Sequence, residues 1–298
     1  MASLLLFRGE KSLESLAFLN SRHARLWHVF VAFQPTLWMA ALLGLMGDFR
    51  GNPSVWPSTR KERMAVVFYA GFLFAMAALP VWGQVIAGQP FIPSNAEELV
   101  EVPYVYIKLH LLNLVGSLVG VMLAGGMVGV HVQLIGCMPP NKPPAEVAEP
   151  DVQAEVQRFL RLRAQLKRFL GFAAASISSS LLSIGIFRNL INASAPAQPE
   201  LMSTAVGMSF GIYFTGMLAS LYLPAAKTLS DVGLALADRL VLQSLGPRAT
   251  WKEWTDEQQA VRSYLGLQGS ALQEIQQGVT LLAPLIAGVS TLVLGTAR

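Results

Sequence analysis

The sequence predicts an all-α, polytopic helical membrane protein: four clear transmembrane helices, one or two ambiguous ones, and cytoplasmic amphipathic helices. Three observations predict it. Of 298 residues, 13% are charged and 53% hydrophobic, where soluble domains carry about 25% charged residues. The apolar residues gather in long runs, and about 20 in a row span the hydrocarbon core as a helix. The runs are continuous rather than alternating, which marks helices and not barrel strands. Only these two structures satisfy their own backbone in lipid.

Residues 1–63 form a basic N-terminal region holding one apolar segment, 26–46. Its opening apolar stretch, Leu4 to Phe7, is too short for the core of a signal peptide. The segment from Leu26 to Met46 has basic residues on both sides, Arg8, Lys11, Arg22 and Arg25 before it and Arg50, Arg60, Lys61 and Arg63 after it. A spanning helix puts one basic flank outside, whereas a re-entrant or interfacial segment leaves both inside. Pro35 permits a bend, because proline removes a helix hydrogen bond, so the pattern admits both placements.

Residues 64–137 read as a transmembrane hairpin, with runs from Met64 to Val85 and from Val105 to Ile135. In the next segment, 138–168, Pro139, Pro140, Pro143, Pro144 and Pro150 forbid regular structure in the first half. From Val152 to Arg168 the apolar positions Val156, Phe159, Leu160 and Leu166 recur at helical spacing and lead straight into the next span. A second hairpin, 169–225, holds the runs Phe169 to Phe187 and Thr204 to Leu223.

Charge sets the expected orientation. The hairpin tip from Gln89 to Tyr104 holds Glu97, Glu98 and Glu101, and the tip from Asn189 to Ser203 holds Glu200; neither holds a base. The connecting segments hold the Lys and Arg, which resist translocation. The tips are therefore expected outside and the basic segments in the cytoplasm of a bacterial inner membrane.

Residues 226–298 read as cytoplasmic helices after a break at Pro224. Within them Val261, Leu265, Gln268, Leu272, Ile275, Val279, Leu282, Ile286, Val289 and Val293 step alternately by four and three, a heptad seam of the kind that packs helices along their length. The run Val279 to Leu294 reads equally as a further span or as the end of a bundle shared between subunits.

Small residues form ladders in the spans: Gly116, Gly120 and Ala124; Gly171, Ala175, Ser179 and Ser183; Ser203, Gly207, Gly211, Thr215 and Ala219. Such ladders let helices pack closely in lipid, and the serine-rich one from Ser176 to Ser183 is also compatible with a polar path. No span holds Asp or Glu, which argues against cation-coupled transport. Lys108 and Arg188 fall near the outer helix ends, where they snorkel to the interface or, repeated around an assembled pore, form its mouth. The basic run Arg158, Arg161, Arg163, Lys167 and Arg168 reads as a lipid anchor or as a surface for an acidic ligand such as a nucleotide or nucleic acid.

No phosphate loop, nucleophile elbow or metal-ligand spacing occurs, and Cys137 is the single cysteine. No enzyme chemistry and no cofactor is expected. The ladders, the acid-free spans and the seam point to a homo-oligomeric pore or channel subunit gated through its cytoplasmic helices. A non-conducting scaffold recruiting a soluble partner, or a small-solute transporter, fits the same features. The arrangement of spans and the C-terminal heptads from Val261 to Val293 resembles membrane effectors of bacterial antiphage systems of the Hailong type. That resemblance implies membrane depolarisation as output, a nucleotide or nucleic-acid signal as input, and the basic run as its contact.

Overall fold

The computed structural model describes residues 21–50, 56–57, 59–86, 104–137, 152–194, 201–203, 205–245, 249–267 and 271–296. Among them stand seven α-helices and no strand: α1 (Arg22–Arg50), α2 (Arg60–Ile86), α3 (Val105–Gly136), α4 (Val152–Ser194), α5 (Ala205–Ser244), α6 (Trp251–Tyr264) and α7 (Ala271–Thr296). The four clear apolar runs are the cores of α2 to α5. Together with α1 they make five helices long and apolar enough to cross a membrane. The acidic tips around Glu97 and Glu200 and the proline-rich connector lie outside the described residues.

The ambiguous segment 26–46 is resolved by its packing. On α1 the buried residues are Ala24, Trp27, Val31, Gln34, Trp38, Ala41, Leu45 and Asp48, steps of three and four that place them on one stripe. That stripe lies along α4 from end to end. Trp27 stacks on Phe187, the Gln34 amide donates to the Ser179 carbonyl, and Asp48 meets Arg168. Helix α1 continues through Pro35 and runs the full height of the bundle.

Helix α4 is the hub, packed against α1, α3, α5 and α7, whereas α2 leans mainly on α3. Two contacts with rings show how glycine sets helix spacing. A methyl group on Gly116 would lie 2.7 Å from the Trp38 ring, and one on Gly126 would lie 2.9 Å from the Phe169 ring. The outward faces are apolar: Val29, Leu43, Phe68, Phe72, Ile107, Leu111 and Ile212 are exposed, Phe68 by 79%. A surface of that kind belongs in lipid rather than water.

Two expectations are corrected. Helix α5 does not break at Pro224 but passes through it to Ser244. The missing proline N–H costs one backbone bond, and the flanks are held by burial of Leu221, Tyr222, Ala225 and Val232, with the Thr228 hydroxyl donating back to the Pro224 carbonyl. The heptad seam is not one helix. Helix α6 ends at Tyr264, where Leu267 N–H donates to Arg262 O and Gly266 N–H to Ser263 O. Gly266 has φ +66°, a left-handed C-cap that glycine adopts without a Cβ penalty.

Helix α7 then returns along α5 and α4. Its Gly288 meets Gly207, three residues into α5, and Pro284 meets Gly211. A methyl on Gly288 would sit 2.7 Å from the Gly207 carbonyl oxygen, so two backbones touch here with no side chain between them. The ambiguous run 279–294 therefore belongs to the bundle, antiparallel to α5.

The bundle has two chemically different ends. Trp27, Val105, Leu190 and Met202 cluster at the hairpin-tip end. At the other end Arg239 pairs with Glu155 at 3.0 Å and Arg168 with Asp48 at 3.0 Å. Helix α6 sits at this basic end against α5, opened by a capping box between Thr250 and Glu253.

Candidate functional site

The tallest side chains of the bundle do not fill its middle. A half-enclosed chamber of about 180 Å³ lies between α1, α3, α4 and α5, with Leu73 and Ala77 of α2 on one side. It exists because small residues stand where large ones would close it. Gly116, Gly120 and Ala124 line it from α3, and Ala173, Ser176, Ser180 and Ser183 line it from α4. Around Gly120 a methyl group would meet nothing within 4 Å.

The walls are largely apolar: Trp27, Trp38, Phe187, Phe210, Phe214 and Leu218. The polar exceptions are Gln34, His110, Asn113, Ser117 and the three serines. No Asp, Glu, Lys or Arg lines it. Most of these polar groups are engaged. Gln34 donates to Ser179 O, His110 Nδ1 sits 2.8 Å from Tyr106 O, and the Ser180 hydroxyl donates to Ser176 O. The Ser176 hydroxyl is buried and makes no hydrogen bond.

Helix α2 is tied across the chamber by one bond. The Tyr213 hydroxyl on α5 donates to the Met76 carbonyl at 2.6 Å. Met76 stands four residues before Pro80, and proline offers no N–H to that carbonyl. Tyr213 supplies the donor that the helix lacks.

The residues singled out from sequence are not brought together into one site. Among the basic run, Arg168 is spent on Asp48, where Gln165 also donates at 3.2 Å. Arg163 donates to the carbonyls of Leu265 and Gly266, capping α6 from outside. Arg158 reaches Gln133 at 3.5 Å, Lys167 is half-buried and Arg161 exposed. The spacing put them all on one helix but could not say that three of them turn to separate partners. At the tip end Arg188 is 8% exposed and donates to Met202 O and Asn189 Oδ1. It fastens the turn between α4 and α5 and does not face a pore mouth. Lys108 is half-buried on α3.

The seam divides in the same way. Leu265 is fully buried and Val261 partly, while Val279, Leu282, Ile286 and Val289 form an exposed apolar row on α7. Gln268 and the side chains of Leu272 and Ile275 lie outside the described residues. The small-residue ladders are taken up inside the chain, Gly207 and Gly211 against α7 and Gly116 against Trp38. Among the described residues no group of His, Cys, Asp or Glu could hold a metal ion.

Comparison with known proteins returns no match: no family model fits the chain, and no curated protein and no solved structure is significantly similar to it.

Sequence reasoning missed α1 as a wall of the chamber. Its stripe was legible, since Trp27, Gln34, Trp38 and Asp48 share one set of three- and four-residue steps. Apolar residues on the opposite face hid it.

Proposed function

We propose that this chain is an integral membrane binding protein that holds a small, uncharged, mostly apolar molecule in the chamber between α1, α3, α4 and α5. The observation that carries this reading is the chamber's charge-free wall at about 180 Å³. An apolar protein cavity of about 150 Å³ accepts benzene, so the occupant has a body of that size. A charged occupant would stand unpaired in a medium of low dielectric constant, which is prohibitive. Molecules of this kind reach the site from the bilayer itself, and the half-enclosed wall under α2 is the way in. Arg168, Arg163 and Arg239 tie the same helices to the basic end, where α6 is placed to pass on a change in their packing. The basic end faces the cytoplasm of a bacterial inner membrane, by the excess of Lys and Arg there, with Arg22 and Arg25 at the opposite end as the minority. In this reading the serines from Ser176 to Ser183 serve binding, and passage of a polar solute is the lesser alternative.

The test is binding of toluene to the full chain in lipid nanodiscs, read by saturation-transfer NMR, beside Gly120→Leu. Leucine there fills the chamber without touching its neighbours. Signal present in the native chain and absent in G120L supports the reading; equal signal in both, at the level of empty nanodiscs, overturns it.

A homo-oligomeric pore is the second reading, favoured by the exposed row Val279, Leu282, Ile286 and Val289 on α7. These residues offer a second copy an apolar stripe at heptad spacing, as the antiphage-effector resemblance would require. Cross-linking of Leu282→Cys and Ile286→Cys variants in native membranes decides it: dimers or higher species are expected of a pore subunit, and a persistent monomer sinks it.

A further inference from the structure

The chamber wall is almost free of unspent polarity, with one exception. Ser176 is 6% exposed and lines the chamber. Serine within a helix ordinarily spends its hydroxyl on the carbonyl a turn earlier, as Ser180 does on Ser176 O at 3.0 Å and Ser194 on Leu190 O at 2.9 Å. Ser176 does not, and its oxygen has no partner at all. A buried hydroxyl left unpaired is costly, and replacing it by alanine would remove that cost without opening a clash. Ser183, two turns further on the same face and 7% exposed, also lines the chamber. Across from them stands Gln34, whose amide nitrogen is held by Ser179 O at 3.4 Å. The opposite wall, Phe210, Phe214 and Leu218, is wholly apolar.

We infer that the occupant of the chamber is an uncharged amphiphile: a benzene-sized apolar body against Phe210, Phe214 and Leu218, carrying one hydroxyl or carbonyl that hydrogen-bonds the Ser176 hydroxyl. This assignment rests on the chamber reading proposed above and adds the chemistry of the ligand's polar atom. The hydroxyl both donates and accepts, so alcohols and carbonyls are served alike, and a charged head group is excluded by the absence of any counter-charge on the wall. Ser176 acts as the specificity-determining residue, because an apolar wall alone ranks ligands only by size.

The experiment uses a matched pair of probes, toluene and benzyl alcohol, bound to the full chain in nanodiscs. Three proteins are compared: the native chain, Ser176→Ala and Gly120→Leu. The expected result is that both probes bind the native chain and neither binds G120L. In S176A benzyl alcohol should weaken roughly three- to tenfold, the scale of one net hydrogen bond, while toluene stays within about twofold. Undiminished toluene binding by S176A also reports that this variant is folded. If S176A weakens neither probe, or both equally, while G120L still removes both, the hydroxyl assignment is overturned and the chamber reading stands. If G120L binds both probes as the native chain does, the chamber reading falls and this inference falls with it.

Discussion

Removing the Tyr213 hydroxyl with Tyr213→Phe should loosen α2 by an amount that depends on Pro80. The bond to Met76 O is short, at 2.6 Å. Its acceptor has no intrahelical donor, because residue 80 is proline. Interhelical side-chain hydrogen bonds in membranes average only about 0.6 kcal/mol, since the separated helices find other partners. The Met76 carbonyl has no such alternative within its own helix. Its loss should therefore approach the cost of an orphaned acceptor, about 1–3 kcal/mol. Pro80→Ala restores an N–H four residues after Met76, so in that background Y213F should cost about 0.6 kcal/mol or less. The double-mutant cycle then shows a coupling of about 1 kcal/mol or more. The assay is reversible unfolding in mixed micelles titrated with a denaturing detergent and followed by circular dichroism. Equal costs of Y213F in the native and P80A backgrounds would refute the reasoning. Leu73 and Ala77 of α2 line the chamber, so Y213F should also speed exchange of bound toluene.

Four further outcomes are expected. Arg168→Ala leaves the Asp48 carboxylate buried with Gln165 as its remaining described donor; because Arg168 is itself half-exposed, the cost should be about 1–3 kcal/mol rather than the 3–5 of a fully buried pair, and adding Asp48→Asn should recover most of it in the same unfolding assay. Gly288→Ala should cost about 1–3 kcal/mol by overpacking against the Gly207 backbone, whereas Gly120→Ala, with open space around it, should be neutral or stabilise by up to about 1 kcal/mol through helix propensity; their unfolding midpoints should move in opposite directions. The Thr250 backbone N–H and hydroxyl both donate to Glu253 and hold its carboxyl below the ordinary range. A depressed folded value means that the cap's contribution is complete above the ordinary carboxylate range and is lost as pH falls through the lowered value, so amide-exchange protection in the first turn of α6 should be flat above about pH 5 and drop in acid, and Thr250→Val should remove that dependence. Burial pushes the Cys137 thiol up, Arg158 pulling it partly back and Glu155 adding to the rise; alkylation should be slow at neutral pH, with a midpoint above the ordinary thiol range, and Arg158→Ala should slow it further.

Most of the helices were legible because a lipid-spanning helix needs only length and apolar content, and both are local properties of the chain. The continuity of α4 from Val152 into its span was equally legible, since nothing between Arg168 and Gly171 breaks the period. The stop of α6 was not: the heptad steps carry through Leu265 to Gln268, and the glycine cap at Gly266 interrupts a helix without interrupting a pattern. Pro224 erred the other way, as a breaker that burial on both sides overrides. The basic run and the glycine ladders were visible as residues, but Arg163, Arg168 and Gly211 take partners that lie 102, 120 and 73 or more positions away in the chain, and spacing carries no signal of such pairings.

The sequence by itself determined that this chain is helical and suited to a bilayer, because the hydrophobic effect and backbone hydrogen bonding leave one solution for runs of that length. It also determined that no charge lies deep within the spans, since that is a matter of composition. Only the tertiary structure decided which faces meet. It placed α1 along α4, returned α7 against α5 at Gly207 and Gly288, turned three arginines to separate partners, and left a cavity beside Gly120. Those outcomes depend on the fit of side chains from helices distant in the chain, where a difference of one methyl group decides whether two backbones touch or a space remains between them.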